Sequence, residues 1–221
     1  NWAVINGEKT TGVTTFMIDE GMDTGGIMYR YDCKIEPDET VGEVHDKLMD
    51  LGSKLVVNTV EAITENNVEL RVQRSFIQGS EILRPAPKLT RELCHIDWNG
   101  KTKDIYNLIR GLSPYPAAFT ELVKDDKTLQ MKIFKTIKIT GEEYAAMLAE
   151  NGLGSAAPGT VLSDGKSYLA ISTADGALSV TELQLAGKKR MAVKDFLIGF
   201  REPQTYGTSK GTSSQITGKH A

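Results

Sequence analysis

Hydrophobic periodicity divides the chain into two stretches of different character. Over residues 2–6 and 12–18, short apolar runs rich in β-branched side chains read as strands, and residues 27–35 (IMYRYDCKI) alternate apolar and polar as a third. Val41, Val44, Leu48, Leu51, Leu55, Val56, Val60 and Ile63 then recur at three- and four-residue steps, which predicts one long amphipathic helix ending near Thr64. Its start is signalled by Thr40 with Glu43 three positions on, a pairing in which hydroxyl and carboxylate each satisfy an orphan helix-start N–H. Strand, helix and glycine turn without hairpin spacing suit an α/β sheet.

The periodicity fails across residues 78–92, where Pro85 and Pro87 favour extended backbone, so this stretch reads as a linker. Beyond it a helix is expected from Thr102 to Arg110, with Gly111 as its stop, and Ser113-Pro114-Tyr115-Pro116 breaks the chain. Residues 129–139 alternate as a strand with Lys132, Lys135 and Lys138 on the wet face. Thr140 and Glu143 predict a second capping box, opening a helix that ends near Asn151-Gly152. Residues 160–185 read as three strands punctuated by Asp164-Gly165 and Asp175-Gly176, the dipeptide favoured in tight hairpins. A small closed or nearly closed barrel fits this series. Residues 203–221, rich in Ser, Thr, Gly and Lys, read as a loose tail.

Composition adds one thing the pattern does not show. Residues 1–81 hold 7 Lys+Arg against 15 Asp+Glu, whereas residues 82–221 hold 19 against 14, so the net charge of −3 conceals an acidic first half and a basic second half. Such a split is the footprint of a polyanion-binding module joined to something else. The apolar runs fall far short of the ~20 residues that span a bilayer, so no membrane association is expected. Cys33 and Cys94 lie far apart, which predicts idle thiols in a reducing cytoplasm. No His/Cys spacing suits a metal, and no phosphate-binding glycine loop is present.

One segment carries candidate chemistry. Thr11–Gly26 (TGVTTFMIDEGMDTGG) sets a strand directly against a turn holding Asp19, Glu20 and Asp23 among Gly21, Gly25 and Gly26. A carboxylate fixed by such a turn can orient a histidine, hold a water or relay a proton, and the flanking glycines favour Asp23 for that role. Taken alone, the same segment also fits a solvated strand-end loop. The chain opens at Asn1-Trp2 without an initiator Met, and the turn is expected to be part of a site completed upstream.

NWAVINGEKTTGVTTFMIDEGMDTGGIMY, PDETVGEVHDKLMDLG and APKLTRE…IDW…IRGLSPYPAAF together resemble the methionyl-tRNA formyltransferase family, over Asn1 to about Phe200. The resemblance implies the C-terminal portion of a Rossmann-like α/β catalytic domain (residues 1–82), a basic linker (83–92), a mostly β, OB-like tRNA-binding domain (93–206) and a flexible tail (207–221). It implies transfer of the formyl group of 10-formyltetrahydrofolate, as cosubstrate, to the amine of initiator methionyl-tRNA, without a metal and without an obligate protein partner. Asp23 stands at the family's catalytic aspartate, and Ile18, Asp19 and Glu20 at the loop that meets the pterin. The family's catalytic Asn and His precede the equivalent of Asn1, so the 221 residues are expected to be inactive alone. Arg84, Lys88, Arg91, Lys101 and Lys103 are the tRNA-contacting candidates. Two other readings stay open: a related folate-dependent formyltransferase or hydrolase acting on a small molecule such as an amino-sugar nucleotide, and an RNA-binding module with a vestigial catalytic half.

Overall fold

The structure, a computed structural model, describes residues 1–21, 24–76 and 84–209. The chain divides into two compact units: Glu8–Pro87 forms one, and Asn1–Gly7 with Lys88 onward forms the other.

The first element belongs to the second unit. Residues expected as a strand are instead the helix α1, Trp2–Ile5, with Val4 and Ile5 buried. A five-residue apolar run carries no period that separates a strand from a buried helical turn, and tertiary packing decides.

In the Glu8–Pro87 unit, β1 (Thr10–Phe16) pairs antiparallel with β2 (Ile27–Lys34) from Thr10↔Lys34 to Phe16↔Ile27. The two strands are therefore a hairpin with a long loop, a connection too long for the tight-turn signal by which hairpins are read from sequence. Helix α2 (Val41–Thr64) lies against them. Its capping box forms as expected: Thr40 Oγ1 accepts from Glu43 N–H at 3.4 Å, and Glu43 Oε2 accepts from Thr40 N–H at 2.7 Å. Val44, Leu55, Thr59 and Ala62 are buried, and the Thr59 hydroxyl sits 3.0 Å from that of Thr15 on β1. The apolar positions read as one stripe in fact occupy two faces. Met49, Val56, Val60 and Ile63 lie at helical spacing on a second face and are 47–63% exposed.

The other unit contains the short helix α3 (Arg91–Cys94), capped by Thr90 Oγ1, and α4 (Thr102–Leu112). Arg91, assigned to the linker, is thus helical. Gly111 is not a stop. It lies within α4, where a Cβ would stand 2.5 Å from Ile5 Cγ1 and 3.0 Å from Ile5 N, so its bare backbone is what admits α1. Strands β3 (Ala118–Lys124), β4 (Lys127–Ile139), β5 (Val161–Ser163), β6 (Leu169–Ser172), β7 (Ala177–Leu185), β8 (Met191–Ala192) and β9 (Gly207–Thr208) make one antiparallel sheet in the order β5-β6-β7-β4-β3-β9, with β8 on β7. Thr160 bridges to Gly207, and the Thr208 hydroxyl donates to the Gly159 carbonyl at 3.0 Å, so the two end strands meet and the sheet nearly closes on itself. The segment from 207, expected to be tail, therefore begins as a barrel strand; residues 210–221 lie outside those described.

The barrel interior holds Ile96, Leu122, Met131, Ile133, Leu178 and Leu183, and α4 adds Ile109 and Leu112. Trp98 is buried there, its indole N–H donating to Thr120 Oγ1 at 3.0 Å. Helix α5 (Gly141–Glu150) covers a smaller cluster with Leu148. Thr140 is its N-cap residue but makes no side-chain cap bond, so the second capping box is a correction. Register shifts flank Lys135 on β4 and bury both Phe134 and Thr136. They reverse the inside–outside parity, which leaves Lys135 and Ile137 exposed; Lys138 is exposed as well, and Ile139 is buried again. Helix α6 (Val193–Gly199) packs Phe196 and Leu197 inward.

Candidate functional site

The acidic loop is built from its base upward. The β1–β2 ladder continues one step beyond the strands, Met17 N–H donating to Gly26 O at 2.9 Å. At Gly25 a Cβ would fall 1.5 Å from the Met17 carbonyl oxygen, so only glycine allows the two arms this close. The side chain of Gln73 donates to Gly25 O at 2.9 Å and pins the same corner. Behind it, Ile27 and Arg71 exchange backbone hydrogen bonds at 2.8 and 2.9 Å.

Asp19 acts within the loop. Its Oδ1 accepts from Gly21 N–H at 3.0 Å and from the Thr24 hydroxyl at 2.5 Å, an arrangement that folds the loop back on itself. Ile18 is 90% exposed and Glu20 is exposed, so this arm of the loop presents an apolar side chain and a carboxylate to its surroundings. Asp23, expected as the catalytic residue, lies outside the described residues. Among the described residues no three His, Cys, Asp or Glu side chains gather as a metal cluster.

The five basic candidates do not form one group within a single unit. Arg84 belongs to the Glu8–Pro87 unit and pairs with Glu8 at 3.3 Å. Lys88, Arg91, Lys101 and Lys103 belong to the other and are exposed. The Arg91 guanidinium lies 5.7 Å from the centroid of the Phe119 ring, and the ring of His95 stacks on Phe119 at 5.0 Å. Lys101 is the N-cap residue of α4 and Lys103 is in its first turn, an end where cations oppose the helix dipole. Asp175, in the β6–β7 turn, compensates. Its Oδ1 accepts from Thr102 N–H at 2.7 Å and from the Thr102 hydroxyl at 2.8 Å. Those bonds, with the nearby Lys101 charge, hold its carboxyl below the usual range.

Two roles escaped the pattern reading. Gln73 clamps a loop 48 residues away, and Asp175 caps a helix 73 residues away; neither leaves a signal in its local sequence. Lys138, read only as a wet-face lysine, lies 4.1 Å over the centroid of the Tyr106 ring, a cation–π contact between β4 and α4.

The family described as "Formyl transferase" matches residues 1–60, and "Formyl transferase, C-terminal domain" matches residues 88–201. The chain belongs to the formyl transferase family. The curated relatives it resembles include the methionyl-tRNA formyltransferase of Parabacteroides distasonis, 42% identical over 207 residues, 93% of this chain and 60% of that one. The methionyl-tRNA formyltransferase of Phocaeicola vulgatus is 46% identical over 202 residues, 91% of this chain and 59% of that one. The chain therefore spans about three fifths of the length of these relatives. Among solved structures, a HypX variant from Aquifex aeolicus matches 91% of this chain and 33% of its own, with TM-score 0.60 at 19% identity. An N-formyltransferase from Helicobacter canadensis, in complex with folinic acid and dTDP-3-aminofucose, matches 86% and 59% with TM-score 0.53 at 19% identity. At 19% identity these two are likenesses of fold. Among the described residues no helix is long and apolar enough to cross a membrane.

Proposed function

We propose that these 221 residues are the downstream part of a cytoplasmic methionyl-tRNA formyltransferase, which moves the formyl group of 10-formyltetrahydrofolate to the amine of initiator methionyl-tRNA. The observation that carries this reading is the 42–46% identity to enzymes of that name across nine tenths of the chain, both units included. In this reading the Glu8–Pro87 unit closes a Rossmann-like catalytic domain, and the barrel unit, which takes in Asn1–Gly7 and runs through β9, is an OB-like tRNA-binding domain joined to it through the basic stretch 83–92. Two features of the Glu8–Pro87 unit support an extension of the catalytic domain around it. Among the described residues β1 pairs on one edge only, and α2 exposes its second apolar stripe.

Asp23 is assigned to orient a histidine and a proton path, while an upstream Asn and His stabilise the oxyanion that develops on the formyl carbon. The loop, folded by Asp19 and held at its base by Gly25 and Gln73, is assigned to offer Ile18, Asp19 and Glu20 to the pterin of the cosubstrate. No metal is required, because the developing charge is met by hydrogen-bond donors. Lys88, Arg91, Lys101 and Lys103, with Arg84, would neutralise tRNA phosphates.

The decisive experiment compares two proteins. The 221-residue chain is expected to show no formyl transfer from 10-formyltetrahydrofolate to methionyl-tRNA. The same chain joined to an upstream segment bearing the Asn and His is expected to turn over, and Asp23→Asn should slow it by about 10²-fold or more. Transfer to a dTDP-amino sugar but not to methionyl-tRNA would establish the small-molecule alternative. RNA binding with no transfer in the extended protein would establish the binding-module alternative.

A further inference from the structure

A concavity lies in the Glu8–Pro87 unit, on the edge of β2 away from β1. It has a volume of about 390 Å³, within the ~300–1,000 Å³ of small-ligand clefts. The backbone bridge between Ile27 and Arg71 forms one side of it, and Arg30, Asn67, Glu69, Arg71 and Phe76 line it with Met28 and Val68.

Its chemistry is specific in kind. Two guanidinium groups border it, and neither is fully engaged by its carboxylate. Arg30 Nε donates to Asp32 at 3.1 Å, an engagement of one nitrogen of the fork. Arg71 Nη2 stands 3.6 Å from Glu69, an ion pair outside hydrogen-bond range. The planar donor fork of arginine matches the oxygens of a phosphate better than any other side chain. Phe76 supplies a half-buried aromatic ring, on whose face a planar heterocycle gains stacking energy. Asn67 offers a side-chain amide, donor and acceptor together, of the kind that reads the edge of a base. A lone inorganic anion would leave Phe76, Met28 and Val68 without a partner.

We propose that this cavity binds a nucleoside monophosphate, its phosphate on Arg30 and Arg71 and its base on Phe76 and Asn67. The site is distinct from the acidic loop and does not depend on the formyl-transfer reading. The test uses the full 221-residue chain, ¹⁵N-labelled, titrated with AMP, with adenosine and with inorganic phosphate. AMP is expected to give saturable shifts confined to residues 27–30 and 67–76. Arg30→Ala and Arg71→Ala should each weaken it about tenfold or more, since each removes a charge-assisted bond. Phe76→Leu should weaken AMP and leave phosphate unchanged. Arg71→Lys, which keeps the charge, should recover only part of the affinity, and unshifted amides elsewhere would report an intact fold. Absence of saturation up to about 10 mM AMP, indifference to the arginine substitutions, or phosphate binding as tightly as AMP with Phe76→Leu silent would each overturn the proposal.

Discussion

Single carboxylates organise much of this chain, and each works by accepting hydrogen bonds at a chain reversal. Burial acts to raise the Asp164 carboxyl, but the Ser167 hydroxyl and the N–H groups of Ser167, Lys166 and Tyr168 outweigh it and hold it well below the usual range. Asp175 is lowered first by the Thr102 N–H, then by the Thr102 hydroxyl. A carboxylate whose folded pKa lies below its unfolded value binds fewer protons when folded. Its stabilisation is complete above the unfolded value, near ~4, and is lost as pH falls through the folded value. Urea unfolding followed from pH 5 to pH 3 should therefore show falling stability, and Asp175→Ala should flatten that slope. At neutral pH the same substitution removes a helix cap from elsewhere in the fold and should cost about 1 kcal/mol. The Asp-Gly pairs announced the turns, because tight-turn chemistry is local. What Asp175 does with its oxygens was not legible, because its partner Thr102 lies far away in sequence. The acidic loop divides the same way. Its strand and its carboxylates were visible, whereas the inward use of Asp19 and the clamp from Gln73 required the fold.

Long periodic elements survived the passage from sequence to structure, and short or irregular ones did not. Helix α2 was legible in extent and in its capping box because seven turns average out local noise. The four residues of α1 offer no such average, and their helical state follows from docking on α4. Thr40 and Thr140 carry the same motif, yet only Thr40 closes its cap, so the motif records compatibility with a helix start and geometry decides the bond. Gly111 separates propensity from packing most cleanly. In an exposed helix Gly→Ala gains about 1 kcal/mol. Here the added methyl would meet Ile5 Cγ1 at 2.5 Å and its backbone nitrogen at 3.0 Å, and overpacking of that kind costs about 1–3 kcal/mol. Gly111→Ala should therefore destabilise the protein in denaturant titrations. A stabilised variant would mean that α1 can lift off without penalty.

At the scale of the whole chain, the charge split and the change from helix-dominated to strand-dominated periodicity located both parts, and the family matches at residues 1–60 and 88–201 fall on either side of that change. The barrel and its near-closure were foreseen from a series of hairpins, but the strand that completes it was not, since β9 is two residues long and sits in a stretch whose composition reads as tail. Its contribution is topological. It joins β3 to the residues preceding β5 and leaves fewer unpaired edge groups. A chain ending at Tyr206 should melt several degrees lower, with faster amide exchange at Leu122 and Val123, the residues β9 covers. An unchanged melting temperature would reduce β9 to an ornament. The seven residues that precede Glu8 carry a different consequence. They pack with the barrel unit, with Asn1 Nδ2 donating to Gly111 O at 2.8 Å, while the chain between them and Lys88 builds the other unit. The barrel unit is thus stitched from two segments separated by the whole of the other unit, and a protein begun at Lys88 would carry an empty slot along α4. A free peptide of sequence NWAVING should reoccupy that slot, so this chain is suited to reconstitution from two pieces cut within its first ten residues.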